Sequence, residues 1–265
     1  MKDRFFKMLN LGIKQFNDPY YQGFAGQIAF YFMLSIVPVV LLTSQIIGYI
    51  WGASLEDAVG WILENAHGTV GATLKRLLTY KSGGFSNVIY IVIALWAGSR
   101  AQFSMMRINN FMFTEGQTTG RGYWRERFRA IFNLFVTIVT VILALLVLIY
   151  GSRILEKFTD SADIWLWVRW PIALALFFIM IVFNYYFMPE TRVQIKNIIP
   201  GSLFAAVGLL LVTAIYSRYT ASVAKYDIIY GSLATIVALM FWFYFMAWVL
   251  CLGILFNKVW MDTEK

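Results

Sequence analysis

Cysteine and histidine are almost missing from this chain of 265 residues, which has one of each, Cys251 and His67. A single cysteine excludes an internal disulfide, and a histidine without histidine or cysteine partners cannot build a metal site. The 14 Asp and Glu residues lie scattered, nearly all in loops, and supply no ligand cluster for metal-dependent hydrolysis. HxxEH, GxSxG and the phosphate-binding loop motif are missing too. These absences predict a protein that is not an enzyme and that uses no metal or cofactor.

Charged residues are also scarce, at 14% of the chain against about 25% in ordinary globular proteins. Hydrophobic residues make up 60% of the chain, and the mean hydropathy is +0.67. A soluble protein of this length needs more charge to cover its surface, so the composition indicates a membrane protein. The net charge of +8 does not indicate a nucleic-acid partner, because Lys and Arg occur in short clusters between apolar runs. Membrane lipids are the predicted partners.

Six apolar runs are long enough, or nearly so, to cross a bilayer, which takes roughly 20 helical residues. No linker, low-complexity tract or convincing repeat divides the chain. The sequence therefore predicts an all-α, polytopic membrane protein with one integral-membrane domain over residues 1–265. The predicted spans are 28–50, 85–106, 130–151, 164–187, 199–216 and 230–256.

Short amphipathic helices are predicted at the N-terminus and in the first outer loop. Residues 4–16 carry an apolar side suited to the membrane face. Residues 52–84 contain two stretches with apolar residues at helical spacing, which predict two short helices over the outer mouth. They are consistent either with simple surface packing or with a lid over a cavity.

The distribution of positive charge predicts the orientation. The N-terminal segment, the 107–129 loop, the 188–198 loop and the tail carry 13 Lys and Arg residues, whereas the three other loops carry 7. Because Lys and Arg are enriched in cytoplasmic loops, both termini are predicted to be cytoplasmic.

The first span contains a proline, Pro38, inside its apolar run. Proline cannot donate a hydrogen bond to the carbonyl of Leu34, and lipid cannot replace the missing donor. The neighbouring Ser35 hydroxyl is a candidate to help. A kinked first span that faces protein or a cavity is predicted, and the kink can be structural or can line a functional cavity.

Four stretches carry a family resemblance: AFYFMLSIVPVVLL at 29–42, LWAGSRAQFSMMRINN at 95–110, YYFMPETRVQIKNIIPG at 185–201 and YTASVAKYDIIYGSLATIVALMFWFY at 219–244. In order and over about residues 20–260, they together resemble the YihY/BrkB family of bacterial inner-membrane proteins. The resemblance implies a bacterial cytoplasmic-membrane protein from a family once labelled ribonuclease BN. Family-level opinion leans toward export, without a settled substrate. Leu255 stands where the family often has a glutamate, so a role for that carboxylate does not carry over.

Polar residues inside or at the inner ends of the spans are the remaining signal, because they are costly in lipid and usually face a cavity or a partner. Arg100 and Arg107 lie two turns apart and can snorkel to headgroups. They can also help to form a polar inner vestibule for an anionic headgroup or an acidic solute. The candidate cavity and kink residues are Gln27, Ser35, Pro38, Arg100, Arg107, Asn109, Asn184 and Asn257, with Asn133 in the third span.

A second cluster precedes the sixth span on the predicted outer side. It consists either of residues that cap that helix or of a substrate gate. The candidate gate residues are Tyr219, Tyr226, Asp227, Tyr230 and Gly231.

Two functions fit these features. The first is transport or export of an amphiphilic, lipid-like or anionic solute. The alternative is a non-transporting scaffold or partner in envelope lipid assembly, in which lipid headgroups or partner helices fill the polar ring. The sequence leaves the substrate, the energy source and the oligomeric state open.

Overall fold

The computed structural model describes residues 2–17, 23–36, 38–39, 85–114, 122–155, 163–187, 193–222 and 232–264. Almost all of these residues are helical, which confirms the all-α prediction. The helices are α1 (Lys2–Phe16), α2 (Gly23–Ile36), α3 (Phe85–Thr114), α4 (Tyr123–Leu155), α5 (Asp163–Phe187), α6 (Ile195–Ser222) and α7 (Ser232–Glu264).

Long apolar helices make this a membrane protein. Within the described residues, four stretches have the length and composition to cross a bilayer: Tyr123–Ala144, Trp170–Phe187, Ile195–Tyr219 and Ile236–Thr263. They overlap the third to sixth predicted spans, with ends that differ by up to seven residues. The second predicted span lies within α3 and the start of the first within α2, so the total of six remains a prediction.

Helix α1 corresponds to the N-terminal helix predicted at 4–16. The two short helices predicted within 52–84 fall outside the described residues.

Helices α3 and α4 extend further toward each other than their apolar runs. Helix α3 continues to Thr114, and α4 begins at Tyr123, seven residues before the predicted span. The Gly122 carbonyl accepts hydrogen bonds from the backbone N–H groups of Arg125 and Glu126, at 3.0 and 3.4 Å, which starts the first turn. Hydropathy cannot detect such polar turns, because they are helical without being apolar.

Consecutive helices pack against each other from α3 to α7, and α7 also contacts α3 and α1. Helix α2 lies against α3 and α7, since the ring centroids of Phe24 and Phe111 are 5.4 Å apart and those of Phe32 and Phe243 are 5.9 Å apart. The contacts therefore run from helix to helix and return from α7 to α3.

One end of the bundle holds most of the described core. It is formed by the C-terminal parts of α3, α5 and α7 and the N-terminal parts of α2, α4 and α6, and we call it the polar end. Its core includes Ile28, Met106, Ile181 and Ile254, none more than 1% exposed. Buried polar side chains lie at the same end, as described next.

Candidate functional site

The first-span candidates lie on or just after α2. Gln27 is exposed, whereas Ser35 is buried and its hydroxyl contacts the carbonyl oxygens of Tyr31 at 2.5 Å and Ala97 at 3.2 Å. The single hydroxyl proton therefore serves α2 itself or α3. Pro38 is half-buried and helical. Residue 37 falls outside the described residues, so the kink remains a prediction.

The two arginines of α3 contact different neighbours, although they are seven residues apart. The Arg100 guanidinium lies 5.6 Å from the centre of the Tyr31 ring on α2. Arg107 forms an ion pair with Glu126 on α4, with Nε and Oε2 3.3 Å apart. Because the Arg107 side chain is 57% exposed, water screens this pair.

Arg127 is a buried cation that the sequence analysis counted as a loop residue. It is 1% exposed. Its Nη2 donates a hydrogen bond to the Trp96 carbonyl oxygen, and its guanidinium lies 4.0 Å from the centre of the Trp96 ring and 5.3 Å from that of Phe103. Nε and Nη1 have no hydrogen-bond partner among the described residues. The usable sequence signal is the aromatic and charged stretch YWRERFR at 123–129, which continues α4 toward its N-terminus.

Buried amides occur on the four helices from α3 to α6. Asn109 and Asn133 are 0% and 1% exposed, and within the described part of the chain neither amide oxygen nor amide nitrogen of either has a partner. Asn184 donates from Nδ2 to the Met180 carbonyl at 2.8 Å, while its Oδ1 lacks a partner there. Asn197, which the sequence analysis did not single out, is also buried with Oδ1 unpaired within the described ranges.

Asn257 differs from these amides because its Oδ1 accepts a hydrogen bond from the Gly201 backbone N–H at 2.7 Å. The bond joins the end of α7 to the first turns of α6. Nearby, the Tyr185 hydroxyl of α5 donates to the Leu250 carbonyl of α7 at 2.7 Å. A Cβ atom added to Gly253 would lie 2.7 Å from the Tyr185 hydroxyl oxygen. We call this group of contacts the α5–α6–α7 junction.

The family's acidic position belongs to the apolar core in this chain. Leu255 is 6% exposed in α7, two residues before Asn257. Cys251, whose thiol is free and buried, lies one turn earlier. Neither supplies a proton-transfer group.

Of the outer-gate candidates, the structure describes Tyr219 alone, which lies in α6 and is 50% exposed. The other four, Tyr226, Asp227, Tyr230 and Gly231, fall outside the described residues. The gate remains a prediction. Over the described ranges, no group of three or more His, Cys, Asp or Glu residues could hold a metal ion.

Apolar helices joined at a polar end define a multi-pass helical membrane protein. The family Virulence factor BrkB matches residues 13–264, so the chain belongs to that family. The resemblance to the YihY/BrkB family noted from the sequence is thereby confirmed.

Several bacterial proteins are similar to this chain. The ribonuclease-like protein YfkH of Bacillus subtilis is 26% identical over 243 residues, which cover 88% of this chain and 87% of YfkH. A UPF0761 membrane protein of Alteromonas mediterranea is 23% identical over 242 residues, covering 86% of this chain and 78% of that protein. A UPF0761 membrane protein of Pseudoalteromonas translucida is 40% identical over 68 residues, covering 26% and 22% of the two chains. No solved structure matches the chain.

Proposed function

We propose that this protein transports or exports an amphiphilic, lipid-like or anionic solute across the bacterial cytoplasmic membrane, without catalysing a reaction on it. The observation that carries the proposal is the set of buried amides on α3, α4, α5 and α6 whose atoms lack partners among the described residues. They are Asn109, Asn133, Asn184 and Asn197.

The free-energy cost of burying these amides without hydrogen bonds favours a bundle interior that admits water or a polar solute. A buried polar group without a hydrogen-bond partner is unfavourable by about 1–3 kcal/mol. Four such side chains together amount to a large part of the roughly 5–15 kcal/mol by which folded domains are stable. Polar residues within membrane helices usually face the bundle interior or a water-filled cavity. Amides that bind water or a polar solute during transport would need no hydrogen-bond partner in the described part of the chain.

The positive charges around the polar end support an orientation toward the cytoplasm. Lys7 and Lys14 on α1, Arg125 at the start of α4 and Lys196 at the start of α6 are all exposed. Positively charged residues near span ends favour the cytoplasmic side. We therefore propose that both termini and the polar end face the cytoplasm, where a solute would enter.

Single-cysteine labelling tests the proposal, since Cys251 is the one native cysteine. In a Cys251→Ala background, Asn133→Cys and Asn184→Cys should react with a membrane-impermeant maleimide applied from the cytoplasmic side of inverted vesicles. Ile138→Cys and Ile181→Cys are matched controls, because these residues lie on the same two helices and are each 1% exposed. Thiols held among apolar side chains stay protonated, so the controls should react at least about tenfold more slowly.

A packed polar end would give the opposite result. If the two asparagine positions react as slowly as the isoleucine positions, no aqueous route reaches the amides and transport is rejected. The non-transporting scaffold would then be the better explanation, with the outer apolar surface as the place to seek a partner protein.

A further inference from the structure

Arg127 has the largest fully buried side chain that the structure describes, and it is charged. Its one hydrogen bond inside the described chain goes to the Trp96 carbonyl. Nε carries one hydrogen and Nη1 carries two, and both atoms lack an acceptor in the described ranges. One N–H group of Nη2 is therefore engaged, while the three N–H groups on Nε and Nη1 are left for an acceptor.

Aromatic rings enclose the guanidinium. Trp96 lies against it at 4.0 Å and Phe103 at 5.3 Å. A second layer of rings covers the first, with Trp124 6.3 Å from Trp96 and Tyr123 5.5 Å from Phe103. Cation–π contacts hold a cation while leaving its N–H edges open, so this enclosure orients Arg127 without neutralising it.

The charges around Arg127 do not balance. Glu126 is adjacent in sequence, but its carboxylate is paired with Arg107 at 3.3 Å. Arg100 lies close enough to repel Arg127. Among the described residues, neither Arg100 nor Arg127 has a carboxylate within ion-pair distance. A buried cation needs a paired anion or several hydrogen bonds, so two positive charges at this place favour an anionic ligand.

We propose that Arg127, assisted by Arg100, binds the phosphate group of an anionic amphiphile. Phosphate is the anion that matches a planar guanidinium best, since its several oxygens accept charge-assisted hydrogen bonds from more than one N–H group. Its charge also matches the two unbalanced guanidinium groups better than a single carboxylate does.

The position of the site in the helix fits a lipid phosphate. Arg127 lies four residues after the start of α4, which is about 6 Å along the axis at 1.5 Å per residue. The headgroup layer on each side of a bilayer is of similar thickness. Trp124 and Phe128, on either side of Arg127 in sequence, are 64% and 68% exposed. An acyl chain can lie against these rings while its phosphate reaches the guanidinium.

This inference rests on the proposed function, because the phosphate amphiphile is taken to be the transported molecule. Binding can nevertheless be measured without transport. A protein that binds phosphate lipids through Arg127 but keeps its amides inaccessible to maleimide would refute the proposed function alone. Accessible amides together with phosphate binding that does not depend on Arg127 would refute this inference alone.

The test is lipid binding by the full chain in a neutral detergent, measured by native mass spectrometry and calorimetric titration. Dioctanoyl phosphatidate is the probe, with dioctanoylglycerol, decanoate and inorganic phosphate as comparison ligands. We expect saturable binding of the phosphatidate and an affinity at least about tenfold lower for Arg127→Gln, because charge-assisted hydrogen bonds are lost. Arg125→Gln is the matched control, since it removes the same charge from an exposed position two residues earlier.

Each outcome decides the question. Competition by inorganic phosphate at similar affinity supports the phosphate site but assigns it to a free anion, whereas no competition supports the lipid. Equal affinities of wild type and Arg127→Gln, an equal loss in Arg125→Gln, or equally tight binding of decanoate overturns the proposal. If Arg127→Gln does not yield folded protein, Arg127→Lys replaces it. Lysine keeps the charge but loses the planar donor group, so affinity must fall at least about fivefold, and a smaller change overturns the proposal.

Discussion

At the α5–α6–α7 junction the buried Asn257 has a partner, whereas on the α3–α4 pair the buried Asn109, Asn133 and Arg127 keep atoms without one in the described chain. The two regions belong to the same end of one bundle and are buried to a similar degree. At the junction, the hydrogen bond and close glycine contacts fix the distances between helices. On α3 and α4, the atoms of Asn109 and Asn133 that lack a partner among the described residues are buried inside the bundle.

This difference separates two uses of polarity inside a membrane protein. A paired side chain contributes to assembly, because breaking the pair leaves a buried group unsatisfied. An unpaired side chain contributes nothing to assembly by hydrogen bonding, so its benefit comes from contact with something other than the described chain. Substitutions in the two regions should therefore affect stability in one case and function in the other.

Among the variants compared below, the largest loss of stability is expected for Gly253→Ala, in the junction. Its added Cβ would lie 2.8 Å from both the Ala205 Cβ and the Gly201 carbonyl oxygen. Gly253→Ala should destabilise the protein by about 1–3 kcal/mol, as overpacking does, which lowers the unfolding temperature by roughly 2–4 °C per kcal/mol. Thermal unfolding of the two proteins in detergent measures this fall in unfolding temperature.

Gly26→Ala is the matched control, because among the described residues nothing beyond the backbone of α2 itself lies within 4 Å of a Cβ added to Gly26. Alanine has the higher helix propensity, by up to about 1 kcal/mol, so this variant should be as stable as the wild type or more so. Equal losses at both glycines would mean that close helix contact is not what Gly253 provides.

A more informative effect, no larger than that of Gly253→Ala, is expected from two asparagines that are both 1% exposed. Asn257→Ala removes the acceptor of the Gly201 N–H and should lower stability by about 1–3 kcal/mol. Asn133→Ala removes two atoms that have no partner in the described chain, so its unfolding temperature should change little.

The same unfolding assay measures both asparagine variants, and the quantity of interest is their difference. If Asn133→Ala lowers the unfolding temperature as much as Asn257→Ala does, the Asn133 side chain has a structural partner. The distinction between paired and unpaired amides would then have to be abandoned.

The smallest effect is expected from Glu126→Gln, which breaks the ion pair with Arg107. Exposed or partly exposed ion pairs contribute about 0–1 kcal/mol, and more than half of the Arg107 side chain is exposed. The unfolding temperature of Glu126→Gln should fall by a few degrees at most. Dioctanoyl phosphatidate should bind more tightly, since one competing negative charge is removed from beside Arg127. Weaker binding would contradict the charge balance described for this site.

Hydropathy located the long helices well, because a continuous apolar run over α5, α6 or α7 leaves few other structures possible in lipid. It placed their ends less well, as α4 shows. The polar first turns of that helix were counted as loop, and Arg127 was counted as an orientation signal when it is a buried side chain. Charge counting treats every loop cation alike and has no means of detecting the aromatic rings that surround one of them.

The buried asparagines were found from the sequence because amides within apolar runs are rare. Their hydrogen bonding was beyond prediction, since it depends on contacts between residues far apart in the chain. Gly201 and Asn257 are 56 positions apart, and no local pattern indicates that they meet. Asn197 was missed because it lies before the apolar run of its helix, where an asparagine is unremarkable.

The glycine contacts of the junction also divide the bundle into parts for any change of shape. Helices α6 and α7 approach closely at two levels, at Gly201 with Gly253 and again at Gly208, whose added Cβ would lie 2.7 Å from a methyl carbon of Val249. Close contact at two levels opposes sliding or tilting of these helices, and the Tyr185 hydrogen bond attaches α5 to the same block. In the proposed transport, a change of shape would therefore occur between this block, which α1 contacts, and the α3–α4 pair, so that Arg127 and the unpaired amides of α3 and α4 would move relative to it.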